Sequence, residues 1–130
     1  MASLLVEIMF AERHQRDYLL HDFVVMPNHL HVLLTVSTTI SRAVQLIKGR
    51  FAHDAREQFD IRVQIWQRGF SEHAIRDVRD YFVHRQYIWQ NPVKSGEVVV
   101  PEEFPYSSAC GKFTIDPPPL AAAAKAARLL

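Results

Sequence analysis

A single stretch, Phe23 to Thr35, constrains the fold more than any other part of this sequence. It joins two apolar, β-favouring runs through Pro27-Asn28. Proline presets φ and asparagine tolerates the left-handed region, so this dipeptide suits a tight turn. The pattern therefore predicts a β-hairpin with strands at Tyr18 to Met26 and His29 to Val36.

Two histidines open the second strand of this hairpin. Side chains two residues apart on a strand point to the same face, so His29 and His31 present their imidazoles together. Imidazole is the commonest protein ligand for metal ions, but two ligands rarely hold an ion, so a third must come from elsewhere. Taken alone, the pair fits a metal site and a structural, hydrogen-bonded histidine pair equally well.

Size and composition indicate one domain without a membrane span. The chain has 130 residues, of which 48% are hydrophobic, which is enough for a single core. Its formal charge of +1, from 15 Lys and Arg against 14 Asp and Glu, excludes a polycation that coats duplex DNA, so any nucleic-acid contact must be local. One cysteine, Cys110, excludes an internal disulfide, and no signal or transmembrane pattern occurs, so we expect a cytoplasmic protein.

Three segments have helical patterns. Residues 3 to 17 favour a helix, and apolar residues at three- and four-residue spacing predict a second helix from Ile40 to about Glu57. A third helix begins at the capping residue Asp77 and runs to about Gln90, where Asn91-Pro92 is expected to stop it.

The third helix divides into two faces. At about 100° per residue, one apolar stripe contains Val78, Tyr81, Phe82, Ile88 and Trp89. Tyr87 lies on the opposite side and is therefore not a core residue. His84, on the Tyr87 face, either orients a reacting group or is a solvated surface histidine, and Arg85, inside the stripe, either reaches solvent at the edge or pairs with a carboxylate.

The remaining segments give weaker signals. Alternation from Ile61 to Trp66 predicts a half-buried strand, and residues 98–100 suit a short additional strand. Pro117-Pro118-Pro119 is a stiff spacer, and Leu120 to Leu130 is rich in alanine, with high helix propensity, and either docks or is disordered. We therefore divide the chain into a domain over residues 1–116 and a spacer with a tail over residues 117–130.

The element order predicts the fold class. Helix, hairpin, helix, strand, helix is a βαββαβ sandwich without its first strand, so we expect an α+β fold with a ferredoxin-like antiparallel sheet and helices on one face. The first strand of such a sheet is central. Either the chain start at Met1 is truncated, or residues 4–10 form the strand, or another chain fills the position.

Four blocks of the sequence resemble the single-tyrosine HUH transposases, especially the REP-associated branch. The metal-binding strand of that family is similar to residues 25–34 and its middle segment to residues 65–70 and 73–77. Its tyrosine helix and exit are similar to residues 87–96, and its downstream block to residues 105–108. Because four blocks in the right order are more specific than any single one, the chain is identified as a member of this family.

This resemblance implies a chemistry. His29 and His31 would bind a divalent ion, Mg²⁺ or Mn²⁺, and Tyr87 would attack a phosphodiester in single-stranded or hairpin DNA, leaving a 5′-phosphotyrosine and a free 3′-hydroxyl that permits strand transfer. The expectation agrees with the residues, because the reaction needs charge neutralisation on phosphate oxygens and an oriented nucleophile. Asn91, one turn after Tyr87, is a candidate third ligand, although ending the helix explains it equally well.

Basic and aromatic residues supply candidates for DNA contacts. The phosphate-binding candidates are Lys48, Arg50, Arg68, Arg76 and Lys94. Trp66, Phe70 and Trp89 could stack bases, but the apolar patterns favour packing for both tryptophans.

Two rival functions keep the fold but change the activity. One is a truncated or domesticated relative that binds hairpin DNA without cutting it, and the other is a non-enzymatic metal-binding domain in which Tyr87 is only a surface aromatic. A homodimer with exchanged helices would have the same sequence pattern as a monomer.

Overall fold

The structure is a computed structural model that describes residues 1–14, 18–118 and 124–129. Within these ranges there are three helices and four strands, with two short 3₁₀ turns at Pro101–Glu103 and Ser108–Cys110. In chain order the elements are α1 (Ala2–His14), β1 (Tyr18–Met26), β2 (His29–Val36), α2 (Ile40–Phe59), β3 (Ser71–Ala74), α3 (Val78–Lys94) and β4 (Ala124–Leu129).

The predicted hairpin and three helices are confirmed, although residues 15–17 of the first predicted helix lie outside the described ranges. Strands β1 and β2 pair in an antiparallel register from Tyr18 opposite Val36 to Met26 opposite His29, with an irregularity between Leu20 and Asp22. Side-chain caps start two of the helices: Thr39 accepts from the backbone N–H of Arg42 at 3.1 Å in α2, and Asp77 accepts from Asp80 at 2.7 Å in α3.

The sheet is antiparallel, which confirms the α+β fold class, and its strand order is β1-β2-β4-β3. The C-terminal strand β4 lies between β2 and β3 and pairs antiparallel with both. This is the central position that the first strand of a ferredoxin-like sheet would occupy. The chain fills the position from its own end, while residues 4–10, the alternative strand candidate, lie in helix α1.

The prediction that the helices pack on one face is wrong. On β2, Leu30, Val32 and Leu34 belong to a core cluster with residues of α1 and α2, whereas Leu33 belongs to a second cluster with Tyr81 and Ile88 of α3. Neighbouring strand residues point to opposite faces, so α3 covers the face opposite α1 and α2. A strand that is buried on both faces has a continuous apolar sequence. Such a sequence does not indicate on which side of the sheet a helix packs.

Of the two alternatives for the C-terminal tail, docking is correct for residues 124–129, although their helix propensity gave no signal for a strand. Residues 124–129 form β4 rather than a helix, because a central strand satisfies its backbone groups on both sides and buries Ala127 and Leu129. Intrinsic propensity is a weak influence beside such pairing. Residues 119–123 and Leu130 lie outside the described residues, and the division at residue 116 stays a prediction.

Two predicted strands are absent from the described ranges, and one helix is longer than predicted. Residues 61–66 and 98–100 adopt no strand, and the third segment of the sheet is Ser71–Ala74 instead. Ile61, Ile65 and Trp66 pack against the α1–α2 core from a loop, so their apolar spacing reflects burial without sheet pairing.

Pro92 does not stop α3, which continues to Lys94. Proline removes one hydrogen bond and crowds the preceding turn, and here only two helical residues follow it. In the described part of the chain, no helix has the length and apolar character needed to cross a bilayer.

Candidate active site on the tyrosine-helix face

The alternation of β2 places the two histidines on the face that α3 covers. Leu33 of that strand packs with α3, and His29 and His31 share its parity. Their ring centroids are 5.0 Å apart and the rings are nearly perpendicular. The hairpin turn contributes Asn28, whose side-chain oxygen lies 2.6 Å from Nδ1 of His29.

Both imidazoles carry a buried nitrogen that has no partner among the described residues. These atoms are Nε2 of His29 and Nε2 of His31. Burial lowers the pKa of His29, with Arg128 adding to the shift and Asn91 weakly opposing it. Burial also lowers the pKa of His31 to about 4, helped by His29 and Arg128. Neutral imidazoles with a free nitrogen are the form that coordinates metal ions.

Tyr87 lies beside these histidines. Its side chain is 48% exposed, which agrees with its predicted place outside the core. The Tyr87 ring centroid is 5.4 Å from that of His31, edge to face, and the Lys94 ammonium lies 5.5 Å from the Tyr87 centroid. The pairing of one helix with one hairpin therefore brings a phenol, an imidazole and an ammonium together within a single chain.

Asn91 borders the same surface recess. A cavity of about 270 Å³ is lined by Tyr87, Asn91, Lys94 and Ser95. The helix continues past Asn91, whose backbone carbonyl accepts from Ser95 at 3.1 Å, so this residue does not end the helix.

A buried carboxylate fixes α3 to the sheet. Asp22, fully buried at the irregularity of β1, accepts from Arg85 Nε at 2.8 Å, from Trp89 Nε1 at 3.1 Å and from Ser108 Oγ at 2.7 Å. The hydroxyl of Tyr81 also donates to it, which together with burial raises the pKa of Tyr81. Of the two alternatives for Arg85, the carboxylate pair is correct, and Trp89 has a packing role.

A second polar cluster joins β3 to the start of α3. His73 lies 2.9 Å from the Asp80 carboxylate, His84 lies 3.3 Å from its other oxygen, and the two imidazoles stack at 4.4 Å. The backbone N–H of Arg76 is the largest influence that holds the pKa of Asp80 well below its usual value. His84 is therefore half-buried and partnered rather than a freely solvated histidine.

The basic candidates have separate locations. Lys48 donates to the carbonyls of Gln67 and Gly69, and burial lowers its pKa. Arg50 pairs with Glu12 and Asp54 on the far side of the sheet.

Arg76 pairs with Asp80, and Arg68 is exposed in the loop before β3. Of the five candidates, only Lys94 lies beside Tyr87. Sequence reasoning missed Arg128, which β4 places opposite His31. No signal in the sequence pointed to this residue, because the tail was interpreted only from its composition.

The chain is similar to known transposases over most of its length. The family model described as "Transposase IS200 like" matches residues 2–91, a range that contains both histidines, Tyr87 and Asn91. A REP-associated tyrosine transposase of Escherichia coli strain K12 is 34% identical over 112 residues, covering 80% of this chain and 65% of the relative. A putative REP-associated tyrosine transposase of Haemophilus influenzae is 35% identical over 96 residues, covering 65% of this chain and 54% of the relative.

A solved structure has the same fold. It is described as a REP-associated tyrosine transposase bound to a REP hairpin, and it matches with a TM-score of 0.72 and 28% identity over 92% of this chain and 77% of that chain. The chain thus spans between about half and two thirds of the curated relatives' length. By the extent of the family match and by its fold, the chain belongs to the IS200-like transposase family.

Proposed function

We propose that this chain cuts single-stranded or hairpin DNA and transfers the cut strand, with Tyr87 as nucleophile and a divalent ion held by His29 and His31. The proposal is carried by two buried imidazole nitrogens that have no hydrogen-bond partner among the described residues, beside an exposed tyrosine. It is supported by the similarity to a transposase whose structure holds a REP hairpin.

The histidines fit a divalent ion. An unpartnered buried nitrogen costs free energy that a metal bond removes, and the lowered pKa keeps both rings in the neutral, coordinating form. We propose the Asn91 amide oxygen as third ligand and Mg²⁺ or Mn²⁺ as the ion. When bound, the ion neutralises charge on the nonbridging oxygens of the phosphate.

Tyr87 supplies the covalent step. Its phenolic oxygen attacks phosphorus, the bond to the 3′ oxygen breaks, and the phenol proton leaves while the 3′ oxygen takes one up. The products are a 5′-phosphotyrosine and a free 3′-hydroxyl, and attack by another 3′-hydroxyl reverses the step and completes strand transfer. The phosphotyrosine ester has a bond energy similar to that of the phosphodiester it replaces, so no external energy source is needed. Lys94 is placed to hold the phosphate or the neighbouring backbone.

Trapping the covalent product tests this proposal. Purified protein is incubated with end-labelled hairpin DNA libraries carrying single-stranded flanks in Mn²⁺, and denaturing gels reveal any protein–DNA adduct. Tyr87→Phe should abolish the adduct, whereas Tyr106→Phe, a partly buried tyrosine that packs against the core, should retain it.

The same experiment measures hairpin binding by gel shift. Protein that is folded and binds the hairpin but gives no adduct would contradict the nuclease proposal and favour a binding relative that no longer cuts. The observation that favours this second function is the similarity to a structure described as bound to a REP hairpin.

A further inference from the structure

Strand β4 brings an arginine to the histidine pair. Arg128 is in register with His31 on β2 and with Ser71 on β3. Residues directly opposite one another in antiparallel strands point to the same face, so Arg128 lies on the sheet face that α3 covers. Arg128 reaches this face because its strand, β4, lies in the centre of the sheet between β2 and β3.

The guanidinium is close to the catalytic candidates. An open cavity of about 320 Å³ between the sheet and α3 is lined by His31, Tyr87 and Arg128 together. The guanidinium of Arg128, the imidazole of His31 and the phenol of Tyr87 thus border one cavity, which is large enough for a nucleotide phosphate.

This positive charge has no carboxylate partner within residues 1–14, 18–118 and 124–129. None of the ion pairs there includes Arg128, which is exposed on β4. The other basic residue of the strand, Lys125, pairs with Glu72 at 3.9 Å, and the register places both side chains on the opposite face of the sheet. An unpaired guanidinium on the wall of this cavity favours an anion as the ligand.

We propose that Arg128 binds a nonbridging oxygen of the DNA phosphate that Tyr87 attacks. The inference rests on the proposed nuclease function and assigns a substrate-binding role to the C-terminal strand. Guanidinium is always protonated and its N–H fork matches phosphate oxygens, so it stabilises charge on the phosphate without any proton transfer.

Replacing the phosphate oxygen tests this contact directly. The reactive link is made as each diastereomer of a methylphosphonate, in which an uncharged methyl replaces one nonbridging oxygen, and adduct formation is timed. Arg128→Ala should slow reaction on the normal phosphodiester about 10²-fold. On the methylphosphonate whose missing oxygen Arg128 contacts, wild type and variant should react at similar rates, because the partner of the guanidinium is gone.

Two further variants distinguish the loss of the phosphate contact from damage to the fold. Arg128→Lys should recover part of the rate, since it keeps the charge but loses the fork. Lys125→Ala, on the same strand but on the opposite face, should react at the wild-type rate on the phosphodiester and on both methylphosphonates. Equal slowing of Arg128→Ala on the phosphodiester and on both methylphosphonates would overturn the proposal, because it would indicate damage to the strand alone.

A binding measurement keeps this test independent of catalysis. In a Tyr87→Phe background, the slope of log Kd for the hairpin against log salt concentration should fall by about 0.7–0.9 when Arg128 is also replaced by alanine, as expected for one lost phosphate contact. An unchanged slope would overturn the proposal. If wild type forms no adduct, the nuclease proposal fails, and the salt slope alone then decides whether Arg128 contacts phosphate.

Discussion

Arg85 of the tyrosine helix donates from Nε to the fully buried carboxylate of Asp22, 2.8 Å away on β1. This ion pair lies half a turn before Tyr87 and joins α3 to the sheet whose next strand carries the histidines. A fixed register between α3 and the sheet is what places Tyr87 against His31. Asp22 is therefore a positioning residue for the site as well as a folding determinant.

Replacing Asp22 with alanine should destabilise the fold strongly. The change leaves Arg85, Trp89 and Ser108 without their acceptor, and an unpaired buried charge costs about 3–5 kcal/mol. Urea unfolding measures the loss. Asp54→Ala, which breaks an exposed pair with Arg50 on α2, is the matched control and should cost less than about 1 kcal/mol. Similar losses in both variants would contradict this role of Asp22.

The lowered pKa of His31 predicts a specific dependence of stability on pH. The unfolded histidine takes up a proton below about pH 6.5, whereas the folded one stays neutral to about pH 4. The unfolded state thus binds more protons in this window, so the free energy of unfolding falls as pH drops from 6.5 towards 4, by up to about 3 kcal/mol for this residue.

Urea titrations in chelator at several pH values check this expectation. His31→Gln should reduce the pH dependence between pH 6.5 and 4, whereas His53→Gln, at a highly exposed position, should leave it unchanged. An identical pH profile for wild type and His31→Gln would show that this histidine is not buried in its neutral form.

Metal binding should stabilise the fold through the histidine pair. A ligand that binds only the folded state at one hundred times its Kd adds about 2.7 kcal/mol, so Mn²⁺ should raise the Tm of chelator-treated protein. The double variant His29→Ala/His31→Ala should lose this increment. His73→Ala should retain it, which separates the pair from the His73–Asp80–His84 cluster. An increment that follows His73 instead would place the ion at the cluster.

The central position of β4 makes Leu129 a core residue. Its side chain is fully buried, so Leu129→Ala should cost about 2–5 kcal/mol in urea unfolding. Lys125→Ala on the same strand removes only a partly exposed pair and should cost less than about 1 kcal/mol. A cost below 0.5 kcal/mol for Leu129→Ala would mean that the tail does not belong to the sheet.

Local patterns predicted the parts of the site that lie on one element. The turn dipeptide Pro27-Asn28 and the alternation around it fixed which strand face carries both histidines, and helical periodicity put Tyr87 outside the core. Both conclusions depend only on the period of a strand or a helix. The four family blocks correctly identified the transposase family, because they record motif order along the chain.

Contacts between distant segments were decided by the tertiary structure. Asp22 as the partner of Arg85, the face on which α3 packs, and β4 as the central strand all depend on which buried surfaces and backbone groups find partners. Composition favoured a helix for the alanine-rich tail, but pairing on two sides outweighs a propensity difference of less than about 1 kcal/mol per residue. The sequence by itself determined the two histidines, the tyrosine and the elements that carry them. Only the folded sheet brought Arg128 to the same cavity, because cross-strand register is a property of the assembled sheet and not of any one segment.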